Sequence, residues 1–400
     1  MTALARLAAR GEDHGDGTGA EAEGSPQPRP ARPATSLYRW LVAVVVLLHL
    51  FGLVMVFSAS SVQAIRDEGA GWFYFNRQVI FSAIGFVLLV VAARVDYRLW
   101  RRAAPLMYAV TLGLLVLVLV VGPSINGSRR WIPLGPVNLQ PSEVAKLVLL
   151  LFVAAILAER AGAMGDKRRT LHTALLALAP MAVAVILEPD LGTTIILTAI
   201  VVSVVFIAGV PLRPLLGMAG MVTAVATLLA LIAPYRRARL LAFADPWSDV
   251  QGIGYHTIQS LVGLATGGVS GTGLGESRAK WGFLPNAHSD FIYAIIGEEL
   301  GIVGALLVLA LIVALAVLGF QVALRAPDLF GTIVAGGITT WFAAQAFVNI
   351  GGVVGILPIT GVTLPFVSFG GSSLLVSMIA AGVLLNIARQ ARPAPVPFER

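Results

Sequence analysis

The sequence predicts an all-α polytopic membrane protein, with about ten transmembrane helices and a large extracytoplasmic loop between spans seven and eight. Three observations carry that prediction. The 400 residues are 57% hydrophobic and only 12% charged, about half the charge of an average soluble chain. Mean hydropathy is +0.86. The apolar residues fall into runs near the ~20 residues that cross a bilayer as a helix. The absence of cysteine excludes a disulfide scaffold, thiol chemistry and cysteine-ligated zinc or iron–sulfur centres, and five histidines leave little for a histidine-rich metal site. A net charge of +7 and a pI near 10.1 would suit nucleic acid in a soluble chain. With this hydropathy they point instead to a bilayer with an anionic surface, and no nucleic-acid partner is expected.

Residues 1–36 are rich in glycine and proline with little to bury, and read as a disordered cytoplasmic tail. The first apolar run starts near Leu41, too late for a secretory signal. Ten runs follow, which together make a membrane domain over residues 37–390: Leu41 to Phe57, Val79 to Ala93, Ala104 to Val121, Ser142 to Leu157, Leu171 to Leu187, Leu191 to Val210, Leu215 to Ala233, Phe291 to Phe320, Phe330 to Ile350 and Phe366 to Ile387. The fifth and sixth are separated only by Glu188-Pro189-Asp190, a tight helical hairpin whose polar turn must reach an interface or cavity. Lys and Arg are retained on the cytoplasmic side. Arg98-Leu99-Trp100-Arg101-Arg102 and Lys167-Arg168-Arg169 therefore mark inner loops, both termini are expected inside, and residues 235–290 form the outer loop. Residues 391–400 make a short cytoplasmic tail.

Charges at membrane depth cost several kcal/mol unless paired or wetted, so they mark candidate sites. Arg129 and Arg130 precede the fourth span, and their guanidinium groups suit bidentate phosphate contact, with interfacial snorkelling as the plainer reading. Glu143 and Lys146 share one helix face at i,i+3, as an ion pair or as site residues. Asp190 stands where it can cap the sixth helix or meet substrate. In the outer loop, the alternating glycines of Gly271-Thr272-Gly273-Leu274-Gly275 lack the strand and Gly-Lys-Ser ending of a nucleotide loop. They read as a flexible re-entrant segment lining a cavity. Asp290 stands at the outer mouth of span eight. It is a helix cap in the plain reading and a general base in the functional one, held ionised by the helix N-terminus. One carboxylate base with cations for a leaving phosphate describes an inverting sugar transfer.

Five motifs occur in order: Arg129-Arg130-Trp131 with Gln140-Pro141-Ser142-Glu143; Glu188-Pro189-Asp190-Leu191-Gly192-Thr193; Gly254-Tyr255-His256 with Gln259-Ser260; Asp290-Phe291-Ile292 with Gly297-Glu298-Glu299; and Leu364-Pro365-Phe366 with Ser368-Phe369-Gly370-Gly371. Over about residues 40 to 390 the chain resembles the SEDS family (shape, elongation, division and sporulation). Ala279-Lys280-Trp281 and Leu284-Pro285-Asn286-Ala287-His288 look more like its division branch than its elongation branch. The resemblance implies a peptidoglycan glycosyltransferase that polymerises lipid II into septal glycan strands and releases undecaprenyl pyrophosphate, with Asp290 matching the catalytic aspartate. Arg129, Arg130, Lys146 and Lys280 are then candidates for stabilising phosphate charge, and Glu143, Asp190, His256, Gln259, His288 and Ser368 complete the expected substrate-binding set. A divalent cation, Mg2+ or Mn2+, is an open expectation. No nucleotide or organic cofactor is expected. The implied partners are a class B penicillin-binding protein transpeptidase and other division proteins, in the bacterial cytoplasmic (inner) membrane at the septum. Two departures stand out: Phe369 where the family often has Tyr, and Glu188 where it often has Gln.

Two other classes of function fit a multi-span protein with buried charge. A lipid II flippase or ion-coupled transporter needs ionisable residues at the midplane, whereas Glu143, Lys146, Glu188, Asp190 and Asp290 all map toward the outer ends. A non-catalytic division scaffold predicts that Asp290 is dispensable.

Overall fold

The computed structural model describes residues 35–391 except 126, 136, 161–166, 212, 253 and nearly all of 218–242. The expected N-terminal tail up to residue 34, most of the seventh run, the start of the outer loop, the side chains of Lys167, Arg168 and Arg169, and residues 392–400 lie outside the described residues. Ten α-helices are described: α1 (Thr35–Glu68), α2 (Phe73–Arg94), α3 (Tyr97–Val121), α4 (Pro141–Glu159), α5 (Lys167–Leu187), α6 (Leu191–Ile207), α7 (Tyr255–Gly267), α8 (Ile292–Arg325), α9 (Leu329–Val353) and α10 (Gly371–Gln390). Eight of these, α1 to α5 and α8 to α10, are long and apolar enough to span a membrane. The 17-residue α6 is apolar but shorter, and α7 belongs to the predicted outer loop.

Most helices extend beyond the apolar runs that predicted them, and two stretches differ in kind. The last apolar run was expected to be helical from Phe366, but α10 begins at Gly371. Phe366 has φ 64°, and its carbonyl lies 3.1 Å from a ring nitrogen of His49, so the apolar residues 366–370 form a buried turn. The loop before α4 holds an antiparallel hairpin, β1 (Ile132–Leu134) and β2 (Val137–Leu139), too short to show as a periodic run. Pro141 then occupies the first turn of α4, where its missing N–H costs nothing.

Burial sorts the helices into a centre and a rim. Within the apolar windows of α4, α9 and α10, 78%, 72% and 78% of residues are buried, against 28% and 22% for α2 and α3. Small residues allow the central helices to close up. A Cβ on Gly337 of α9 would stand 2.9 Å from a Val204 methyl of α6 and 3.0 Å from a Leu150 methyl of α4. The exposed apolar side chains of α2 and α3, such as Val87, Leu106 and Val120, are the expected lipid face of a bundle whose solvent is hydrocarbon.

At 34 residues each, α1 and α8 would run ~50 Å, well beyond a hydrocarbon core of ~30 Å. The surplus builds a layer at the end of the bundle where α7 lies. Arg66, near the end of α1, donates to the Trp281 carbonyl at 3.0 Å. In α8 the helix breaks at Gly301, with φ 65° and ψ −163°, a backbone conformation essentially reserved for glycine. The loop after α7 docks into this break: Thr272 and Gly273 donate N–H to the carbonyls of Glu298 and Glu299 at 3.0 Å each, and Ile302 N–H reaches Gly268 O at 3.0 Å. The glycine-alternating segment, expected to be flexible, is instead hydrogen-bonded to the broken helix, because a break frees backbone groups that must find partners.

Candidate active site

The site is built around a polar ridge that α9 carries through the centre of the bundle. Trp341, Gln345 and Asn349 recur every four residues and so share one face. Trp341 Nε1 donates to Gln345 Oε1 at 2.7 Å, and Lys146 Nζ of α4 donates to the same oxygen at 2.9 Å. Lys146 also pairs with Glu143 at 2.7 Å, both side chains buried, so the i,i+3 reading as an ion pair holds. Gln345 Nε2 in turn donates to Thr363 O at 2.9 Å. The fully committed side chain of Gln345 thus ties Lys146 to the 360–363 segment.

Asn349 performs the same task one turn later. Its Nδ2 donates to Asp290 O at 2.8 Å and to Val362 O at 2.7 Å, fixing the backbone of Asp290 against the same segment. The cap of α8 is Phe291, with no side-chain cap bond, so Asp290 stands one residue outside the helix. The next contact sets the shape of the site. Gly361, at φ 76°, faces the carboxylate, and a Cβ built there would lie 3.5 Å from Asp290 Oδ2. A pocket lined by Asp290, Phe291, Asn349, Thr360 and Gly361 opens at this point.

The remaining predicted residues fall into three groups around this centre. His288 and Ser368 join it directly. Ser368 Oγ donates to Ser289 O at 2.7 Å and accepts from Leu364 N–H at 2.8 Å. His288 is buried between Tyr74 and Phe369, with ring centroids at 4.7 and 5.1 Å. Burial lowers its pKa to about 4 even though Asp67 pulls the other way, so the ring is neutral at ordinary pH. His256, on α7, approaches through Phe291, ring centroids 5.9 Å apart. Gln259 lies one turn further along the same helix.

The second group is the α5–α6 hairpin. Asp190 caps α6, accepting from Thr193 N–H at 3.0 Å and Thr193 Oγ1 at 2.9 Å. Arg130 clamps the turn, its Nε donating to Glu188 O at 2.9 Å and its Nη1 lying 3.8 Å from Asp190 Oδ2. Arg129 donates to the carbonyls of Leu119 and Val120 at the end of α3, at 3.2 and 3.3 Å. The hairpin abuts the Asp290 centre through the first turn of α6: a Cβ on Gly192 would fall 2.4 Å from a Val362 methyl. Glu188 is fully buried with neither carboxylate oxygen hydrogen-bonded. Burial first, and then the neighbouring Asp190, raise its pKa to about 8 against the pull of Arg130.

The third group holds Lys280. Its Nζ sits 3.3 Å from Glu299 Oε1 and donates to Gly275 O, while Ser58 Oγ of α1 donates to Glu299 at 2.7 Å. Glu298 accepts from Arg278 N–H at 2.9 Å and from Ser277 Oγ. Both acids are buried and saturated, and they anchor the 275–281 segment to the first half of α8. Among the described residues no three His, Asp or Glu side chains converge as a metal-binding set.

Sequence reasoning missed Gln345, Asn349 and His49. The polar residues at four-residue spacing inside an otherwise apolar run were the available signal for the first two. His49, 2.9 Å from Ser82 Oγ and 3.1 Å from Phe366 O, offered none.

The architecture is that of a polytopic helical membrane protein with a carboxylate presented at one end of its bundle. The family model described as cell cycle protein, covering FtsW, RodA and SpoVE, matches residues 38–393, and the chain belongs to that family. It is 41% identical over 359 residues to stage V sporulation protein E of Bacillus subtilis, covering 88% of this chain and 97% of that protein. It is 40% identical to the probable peptidoglycan glycosyltransferase FtsW of Mycobacterium tuberculosis, covering 96% and 78% respectively. Among solved structures it superposes on a chain from a peptidoglycan synthase complex studied for its coordination of polymerization and crosslinking, with TM-score 0.72 and 31% identity over 90% of this chain and 98% of that one. It also superposes on the rod shape determining protein RodA of Thermus thermophilus, with TM-score 0.65 and 29% identity over 92% and 100%.

Proposed function

We propose that this protein is a peptidoglycan glycosyltransferase that polymerises lipid II during septal wall synthesis, with Asp290 as its general base. The observation that carries the reading is the presentation of Asp290: its backbone is clamped by Asn349, and Gly361 puts no side chain where a Cβ would stand 3.5 Å from its carboxylate. A base must be fixed within hydrogen-bond reach of the proton it takes. Asp290 accepts the proton of the acceptor's sugar hydroxyl as that oxygen bonds to the donor's anomeric carbon. The bond from that carbon to the pyrophosphate oxygen breaks, and undecaprenyl pyrophosphate leaves. The leaving charge needs cations. Arg129 and Arg130 retain guanidinium donors beyond those spent on backbone carbonyls, and we assign them to the pyrophosphate. Lys146 and Lys280, buried in ion pairs with Glu143 and Glu299, position the surrounding segments.

The family relationship supports a transpeptidase of the penicillin-binding class as partner and the bacterial inner membrane at the septum as the setting, with both termini cytoplasmic. The test is glycan polymerisation by the purified protein with lipid II and that partner. Asp290→Asn abolishes polymer while thermal stability and partner binding are retained. Undiminished polymerisation by this variant overturns the assignment. Replacing both Arg129 and Arg130 by Gln weakens lipid II binding about tenfold or more, as loss of charge-assisted contacts to a phosphate requires. Unchanged affinity assigns those arginines to the fold alone.

A further inference from the structure

At the opposite end of the bundle from Asp290, a cavity of about 460 Å³ opens between the first turns of α3, the end of α4 and the α8–α9 turn. Its walls include Arg98, Arg101 and Arg102 from α3, Glu159 from α4, and Asp328 and Phe330 from the α8–α9 side. The three arginines are unequally engaged. Arg98 is spent, with Nε 3.0 Å from Asp328 Oδ2 and Nη1 3.2 Å from Gln390 Oε1. Arg101 meets Glu159 only at 3.7 Å. Arg102 is exposed and makes no ion pair among the described residues. It lies in the second turn of α3, on the rim of the cavity.

The surface beside Arg102 identifies that anion. Leu99, Arg102, Leu106, Val110 and Leu117 fall at spacings of three, four, four and seven residues, one stripe along α3, and the four apolar members are exposed. A phosphate on Arg102 therefore has a hydrocarbon-facing track directly beneath it, with Arg101 reaching it from the cavity side. We propose that this cavity binds the phosphodiester headgroup of an anionic phospholipid, with Arg102 and Arg101 holding the phosphate and an acyl chain lying along Leu106, Val110 and Leu117. Free phosphate would use the arginines but not the stripe, and the stripe is what selects a lipid. By the loop-charge orientation this is the inner leaflet, where anionic lipid and juxtamembrane basic residues attract each other. The site is independent of the Asp290 chemistry.

The experiment is native mass spectrometry of the purified protein from mixed phosphatidylcholine and phosphatidylglycerol nanodiscs, counting retained lipids. Wild type retains phosphatidylglycerol over phosphatidylcholine. Arg102→Gln, which removes an exposed side chain, lowers that retention about fivefold, one basic residue's share near an anionic surface. Glu159→Gln, which frees Arg101 from its carboxylate, raises it. Equal retention of both lipids by wild type, or no change in Arg102→Gln, overturns the proposal. Inorganic phosphate is the second arm: if it displaces the retained lipid as well as soluble phosphatidylglycerol does, the ligand is phosphate and the lipid assignment fails.

Discussion

Asn349 holds the backbone of Asp290 and of Val362 with one amide group, so its truncation leaves two inward-facing carbonyls without a donor. Each buried polar group left unsatisfied costs about 1–3 kcal/mol. Asn349→Ala is expected to lower stability by that order and to reduce turnover at least tenfold with little change in lipid II affinity, because it loosens the base and leaves the cations in place. Polymerisation kinetics separated into kcat and KM check this; a change confined to KM would place Asn349 in binding. Glu188 gives a pH signature. Its proton is held to about pH 8 in the folded chain against 4.5 for the free group, so between these values the folded state binds more protons and stability falls as pH rises. His288 has the opposite sign: its pKa is lowered from 6.5 to about 4, so its contribution is lost as pH falls through that window and is complete above 6.5. Between pH 7 and 9 Glu188 acts and His288 does not, and the Glu188 contribution to stability is expected to fall by about 1.4 kcal/mol. Glu188→Gln abolishes that loss, read as a thermal midpoint that no longer falls over this range. Asp290 and the Glu143–Lys146 pair were legible in the sequence because charge in an apolar chain stands out. Asn349, Gln345 and His49 were not, because a neutral polar side chain within a span acquires meaning only once its partners are known.

Elements were legible where a run was long and uniform and lost where backbone geometry decides. The β1–β2 hairpin pairs only three residues a strand, and the turn before α10 is made of residues as apolar as the helix that follows. The break in α8 had a single sequence trace, Gly301 after two glutamates, and its consequence depends on a loop some thirty residues earlier. A Cβ on Gly301 would meet Val269 O at 2.3 Å in a backbone conformation that costs a non-glycine residue about 1–3 kcal/mol before any clash. Gly301→Ala is therefore expected to destabilise by roughly 3 kcal/mol and to expose residues 268–281 to limited proteolysis. Gly113→Ala in α3, where an added Cβ meets nothing within 4 Å, is the control: it does not destabilise, since Ala is the better helix former, and it leaves the proteolysis pattern unchanged. If Gly301→Ala digests like wild type, the docked loop does not depend on the break.

At the scale of the whole molecule, the bundle separates two chemistries. Acids, hydroxyls and amides concentrate around Asp290 at one end, and the arginines of α3 at the other. The placement of its 28 basic residues predicts which end faces the cytoplasm, since a short loop rich in Lys and Arg resists translocation. That orientation is directly testable because the protein contains no cysteine, so any introduced thiol reports alone. Glu276 and Arg94 are both exposed, the first in the segment docked on the first half of α8 and the second at the far end of α2. In intact spheroplasts a membrane-impermeant maleimide is expected to label Glu276→Cys and to leave Arg94→Cys unmodified until the membrane is permeabilised. The reverse pattern would invert the topology, place Asp290 in the cytoplasm away from any growing wall, and remove the basis for both the glycosyltransferase reading and the inner-leaflet lipid site.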